Sequence, residues 1–197
     1  MFETHTQFGY NGGAVYITGN SLSVKNSEFI AISADAGGAI FSIGNDVVID
    51  NSKFYSLVGY YGGAIYADGE NVKITKSYFL NNNVGHSGGS ILAFGEDHDL
   101  INLTFYNTVA FGKMDDSFNQ QTPIIDPGVI KSSRLGDGLV VQTPTTSDYI
   151  NLVNYGGGAV SIHASSVNIL DCLFYAAYAK SVGGAIFAEG VDHKIDN

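Results

Sequence analysis

Apolar and polar residues alternate in short bursts along this chain, and turn-forming residues interrupt each burst before any helical spacing of apolar positions develops. Residues 62–78 illustrate the unit. Gly-Gly-Ala-Ile-Tyr-Ala is followed by the turn Asp68-Gly69-Glu70-Asn71 and then by Val-Lys-Ile-Thr, so two short strands flank a tight corner. The same pattern returns. The doublet Gly-Gly before a small residue stands at 12–14, 37–39, 62–64, 88–90, 157–159 and 183–185, with steps of 25, 25, 26, 69 and 26 residues. A phenylalanine lies 17 positions after the first glycine of the first five doublets: Phe29, Phe54, Phe79, Phe105 and Phe174. Two landmarks in one frame with a period of 20 to 50 residues define a solenoid, in which each copy buries its apolar face only by stacking on its neighbours.

About 25 residues suffice for some three strands of ordinary length with tight corners. That is one coil of a parallel β-helix, whose equivalent strands pair coil on coil at about 4.8 Å. Parity then assigns the columns. Val15, Ile40, Ile65, Ile91, Val160 and Ile186 face inward on the first strand, and Leu22, Val47, Val72 and Val167 with Val24, Ile49, Ile74, Leu100 and Ile169 face inward on the second. For these and the phenylalanines all to point inward, the alternation slips once, at Asn26, Asn51 and Asn102, with Lys76 and Asp171 in the other copies. Asparagine tolerates the left-handed conformation, so this position reads as a corner carrying a ladder of Asn side chains bonded to backbone. The glycine doublets mark another corner, where φ is positive or the backbone is too crowded for a Cβ.

The expected architecture is therefore all-β: a right-handed parallel β-helix with coils at 1–107, an insertion or degenerate coils at 108–155, and coils continuing the same solenoid at 156–197. The middle segment holds all three prolines, Pro123, Pro127 and Pro144, the only arginine, Arg134, and many of the acids. Residues 190–197 match 95–102 in register, and the phenylalanine that follows the earlier copy has no counterpart, which reads as a cut in mid-coil. Further coils of the same full-length chain are the expected neighbours.

The repeat, Gly-Gly-Ala-Ile/Val followed by an aromatic and then Val-x-Ile-x-Asn-Ser-x-Phe, resembles that of adhesin-like surface proteins and of the polymorphic outer membrane protein family. The latter adds Phe-x-x-Asn, found here at Phe79-Leu80-Asn81-Asn82, whereas Phe29, Phe54, Phe105 and Phe174 lack the Asn. This favours the broader adhesin-like group. The resemblance implies an extracellular or cell-surface location and a role as stalk or binding surface, with a glycan or protein of a host or neighbouring cell as partner.

Composition narrows the chemistry. Nineteen Asp and Glu against nine Lys and Arg give a net charge of −10, which opposes binding to a phosphate backbone and so argues against nucleic acid. A single cysteine, Cys172, forms no internal disulfide framework; it shares a column with Ser27, Ser52, Ser77 and Leu103 and reads as a small buried thiol. No cofactor motif is present. The outward column of the first strand, Tyr16, Phe41, Tyr66, Leu92, Ser161 and Phe187, predicts a continuous exposed apolar stripe, with Tyr60 and Tyr61 extending it at the corner before a doublet. All of these but Ser161 are the candidate ligand-binding residues; the alternative is that like residues stack for stability alone. Parallel β-helices also carry polysaccharide lyases and glycoside hydrolases, and the pair Asp115-Asp116 offers carboxylates for glycosidic cleavage or oxygen ligands for calcium. Adjacent acids commonly only solvate a loop, and one arginine is little for a lyase of acidic polysaccharides. The sequence therefore favours binding over chemistry, with a carbohydrate-active enzyme as runner-up and a phage tail-fibre or spike segment as a third reading.

Overall fold

The structure, a computed structural model, describes residues 2–6, 11–111, 156–180 and 182–196. The described residues contain strands and turns and no helix, and they form a parallel β-solenoid of about 5 turns. One coil holds four short segments rather than three. In the third coil these are β9 (Ile65–Asp68), β10 (Val72–Thr75), β11 (Tyr78–Leu80) and β12 (Asn83–Ser87). The extra break arises because left-handed residues subdivide what would otherwise be longer strands. Three corner columns have φ between 47° and 68° and contain mostly Asn, Asp and Ser, as at Asn51, Asn71 and Asn81.

Two sheets wrap the core. The first contains β2 (Val15–Thr18), β5 (Ile40–Ile43), β9, β13 (Ile91–Ile101), β16 (Val160–Leu170) and β19 (Ile186–Glu189), continued by the second-segment strands β3 (Ser23–Lys25), β6 (Val47–Asp50), β10 and β20 (Lys194–Asp196). The other sheet contains β1 (Phe2–Thr6), β4 (Glu28–Ser33), β7 (Lys53–Tyr55), β11, β14 (Thr104–Tyr106) and β17 (Leu173–Tyr175), with β8 (Val58–Tyr61), β12, β15 (Val109–Ala110) and β18 (Tyr178–Ala179) around the corner. Every pairing is parallel and follows the repeat, with one register shift between Val84 and Ser87 of β12, where the step grows from 25 to 26 residues. β13 pairs directly with β16, Ile91 opposite Val160, although 69 residues separate them. Whether the intervening segment is an insertion or degenerate coils lies outside the described residues.

Inside the coil the predicted columns close into one core. Ile40, Ile65, Ile91 and Val160 have no exposed surface, nor do Ile49, Ile74 and Leu100. The phenylalanines stack in a file: Phe29, Phe54, Phe79, Phe105 and Phe174 have successive centroid separations of 4.9, 4.8, 4.8 and 5.0 Å with planes within 11°. Neighbouring strands are spaced at the separation that offset ring stacking favours, so sheet pairing and ring packing reinforce one another. His98 occupies the column of Val72 and Val167 and is fully buried. Its Nδ1 accepts from the Val72 N–H at 3.4 Å and its Nε2 faces the Phe94 carbonyl at 3.1 Å, while burial lowers its pKa, so it sits in the core as a neutral ring with both nitrogens partnered.

At the doublets the two glycines have different reasons. Gly37 has φ of 58°, whereas a Cβ on Gly38 would collide with the Gly63 carbonyl of the next coil. At the Asn corner, Asn26, Asn51 and Asn102 are left-handed as expected, but the ladder differs from the expectation. Asn51 Nδ2 donates to Asn26 Oδ1 at 2.7 Å, side chain to side chain, and both are exposed. A fully buried amide that does bond backbone is instead Asn82, whose Oδ1 accepts from Leu57 N–H at 3.0 Å and whose Nδ2 donates to Phe54 carbonyl at 3.2 Å.

Candidate functional site

Because side chains alternate across a strand, the first segment of each coil sends one row inward and the next outward. Tyr16, Phe41, Tyr66, Leu92, Ser161 and Phe187 do form one outward row in register. Tyr16 stacks on Phe41 at 5.2 Å and Phe41 on Tyr66 at 4.8 Å. The expected exposure does not follow. Tyr16 is 54% exposed, but Phe41, Tyr66 and Leu92 are at 1% or less, and Phe187 is half-buried. These rings join Ala36, Tyr61 and Phe94 in a second, smaller apolar cluster, with Ile43 and Tyr60 packed at its edge. The corners preceding the second and third doublets account for this, since they bring Ala36 and Tyr61 into one bridged row and lay their side chains on the outward rings. Burial, then the nearby Asp68 and Tyr61, raises the pKa of the Tyr66 hydroxyl far above its ordinary range.

Beside this cluster lies an open groove of about 610 Å³. Its floor is the row two residues further on, where Asp68, Phe94, His163 and Glu189 follow one another coil by coil. The next turn adds Glu70 and Glu96. The Phe94 and His163 rings stack at 5.2 Å with planes 20° apart. Among the described residues four carboxylates line the groove and no Lys or Arg does. At about 4.8 Å per strand, the three steps from Asp68 to Glu189 span about 14 Å. Glycines make the concavity: Gly95 has φ of 116°, and a Cβ there would collide with the Gly69 carbonyl. Glu70 is held at the rim by its own N–H, which donates to Asn45 Oδ1 at 2.9 Å, and Asn45 N–H donates in turn to Asn20 Oδ1 at 2.8 Å.

His163 is the best-positioned polar group of the floor. Its Nδ1 lies 3.1 Å from Glu189 Oε2 and its Nε2 lies 3.3 Å from Ser161 Oγ. Burial lowers its pKa although Glu189 pulls the other way, so the neutral ring donates from Nδ1 to the carboxylate and accepts the Ser161 hydroxyl at Nε2. The order hydroxyl, imidazole, carboxylate is that of an activated nucleophile. Ser161, however, has no exposed surface, and in this arrangement the chain fixes the orientation of His163. Asp68 has its pKa raised by burial.

The remaining candidates separate from this site. Asp115 and Asp116 lie outside the described residues. Among the described residues no three His, Cys, Asp or Glu side chains are grouped to hold a metal ion. Cys172 is buried, as its column predicts; its Sγ lies 3.2 Å from the Leu170 carbonyl, and burial raises its pKa. His86 packs against Tyr61 at 4.7 Å, and burial, then nearby His163, lowers its pKa to about 4. Sequence reasoning missed the groove because Asp68-Gly69-Glu70 reads as a solvated turn. The available signal was positional: Asp68 and Glu189 stand two residues after an aromatic in equivalent places of their coils. No family model, curated protein or solved structure matches this chain.

Proposed function

We propose that this protein is a non-catalytic, adhesin-like surface solenoid whose groove holds a ligand extended along the stack and bearing ammonium groups. An amino-sugar chain of a neighbouring cell is the ligand class that suits it best. The observation that carries this reading is the lining: four carboxylates over a stacked Phe94–His163 floor, with no Lys or Arg among the described residues. Ionised carboxylates only accept hydrogen bonds, so the ligand must donate. A cation above an aromatic face gains further from the ring quadrupole, and the apolar faces of sugar rings pack on the same surface. The net charge of −10 adds a field that draws cations and repels polyanions.

A hydrolase needs two carboxyl groups facing one bond at about 5 to 9.5 Å. Asp68 and Glu189 are about 14 Å apart by strand count, too far for that pair to face one bond. Calorimetric titration with glucosamine oligosaccharides tests the proposal. Binding weakened about tenfold by Glu189→Gln, and weakened again by salt, is expected, since a charged contact contributes on the order of 1 to 3 kcal/mol. Equal affinity of the native protein and Glu189→Gln, or release of reducing ends during the titration, would overturn it.

A further inference from the structure

The strands that carry the phenylalanine file have an outer face of their own. On β7, β11, β14 and β17 the phenylalanine points into the core, so the residues on either side of it point out. The row after the phenylalanine carries Tyr55, Leu80, Tyr106 and Tyr175 in register, and the row before it carries Tyr78 and, two coils on, Leu173. Tyr106 and Tyr175 pair at 6.0 Å, as do Tyr55 and Tyr78. Unlike the outward row of the first sheet, this one is open towards its carboxyl-terminal end: Tyr106 is 48% and Tyr175 52% exposed, and Leu173 and Tyr178 beside them are similarly exposed, while Tyr55, Tyr78 and Leu80 are half-buried. Half of the large apolar side chains that stand exposed among the described residues lie here.

We infer that this tyrosine face is a second binding surface, separate from the groove, and that it takes an uncharged polysaccharide chain laid along the solenoid axis. Three features select that occupant. The face carries charge only at its amino-terminal end, where Glu28 and Lys53 stand opposite one another and Glu3 is in register with Ile30. It therefore offers nothing to a polycation, while a chain of net charge −10 repels polyanions and further copies of itself. The face is periodic, one step per coil, with Tyr55 and Tyr106 two steps or about 9.6 Å apart. A repeating surface meets a repeating polymer at every step, whereas the irregular surface of a folded protein matches it only locally. Tyrosine itself joins an apolar ring to a hydroxyl, which suits a ligand with C–H faces and hydroxyl edges.

Depletion of the intact protein by suspended cellulose, chitin and an uncharged β-glucan tests this directly, in 1 M salt so that groove binding is screened. Retention on at least one polymer is expected, with Tyr106→Ser/Tyr175→Ser lowering affinity about tenfold or more, as loss of aromatic anchors does. Glu189→Gln should leave retention unchanged, which separates this surface from the groove. Unchanged thermal midpoints for the tyrosine variant would confirm that it folds. Retention on none of the polymers, or equal retention of the tyrosine variant, overturns the inference. So does a concentration-dependent dimer in sedimentation that the tyrosine variant abolishes, because the occupant is then a second copy of this chain.

Discussion

Two rows of aromatic side chains face outward from this solenoid, and they have opposite fates. Phe41 and Tyr66 on the first sheet are sealed, whereas Tyr106 and Tyr175 on the other sheet are half exposed. Both rows follow from the same alternation and the same coil spacing. What separates them is the neighbouring corner. Ahead of the second doublet the chain brings in Ala36, and ahead of the third the bulky Tyr60 and Tyr61, which pack on the first row. Beyond β14 and β17 the chain turns at Asn107 and Ala176, small left-handed residues, and Tyr106 and Tyr175 stay open. Parity decides which side of a strand a residue takes; the adjacent corner decides whether that side meets water.

The largest expected effect tests that contrast. Phe41→Ala should destabilise by about 3 to 5 kcal/mol, as for any buried aromatic, while Tyr106→Ala should stay within about 1 kcal/mol. Chemical denaturation of both variants checks this, and similar losses for the two would erase the distinction. Asn82→Ala comes next, at about 1 to 3 kcal/mol, because it leaves the buried Leu57 N–H and Phe54 carbonyl without their partner. Asn51→Ala breaks only an exposed bond to Asn26, so its cost should stay below about 1 kcal/mol, near that of an ordinary surface change. A larger loss at Asn51 than at Asn82 would reverse the assignment of which ladder holds the coils together.

Acid sharpens the same comparison, because the sealed side contains the histidines. The pKa of His86 is lowered to about 4, so between about pH 6.5 and 4 the unfolded chain binds a proton that the folded chain refuses. Stability should therefore fall as pH drops through that window, and His98 and His163, also lowered by burial, add to the fall. His86→Phe should flatten part of the slope in thermal melts taken across it. Asp68 has the opposite sign: its raised pKa means that the charged form opposes folding, and Asp68→Asn should raise the midpoint slightly at pH 7.

Much of this molecule is legible in its sequence. The doublets and the phenylalanine frame define the coils, and the slip of alternation at Asn26 and Asn51 locates a left-handed corner that the backbone confirms at φ of 51° and 47°. The sites are less legible, for physical reasons. Nothing at Phe41 itself records that Ala36 and Tyr61 pack over it, since that contact depends on the path of the corner. The groove is hidden because Asp68 and Glu189 are three coils apart and each reads alone as a turn acid. The tyrosine row is masked by Ile30 and Leu80, which occupy two of its places and make it read as plain outward filler.

Tyrosine footprinting of the folded protein, by acetylation of the hydroxyls followed by peptide mass spectrometry, tests the central contrast most directly. Tyr16, Tyr106, Tyr175 and Tyr178 should be modified readily, and Tyr61 and Tyr66 should be protected until the protein unfolds. Modification of Tyr66 in the native state at the rate of Tyr106 would contradict the account, because the first row would then be the open stripe and the corner would not cover it.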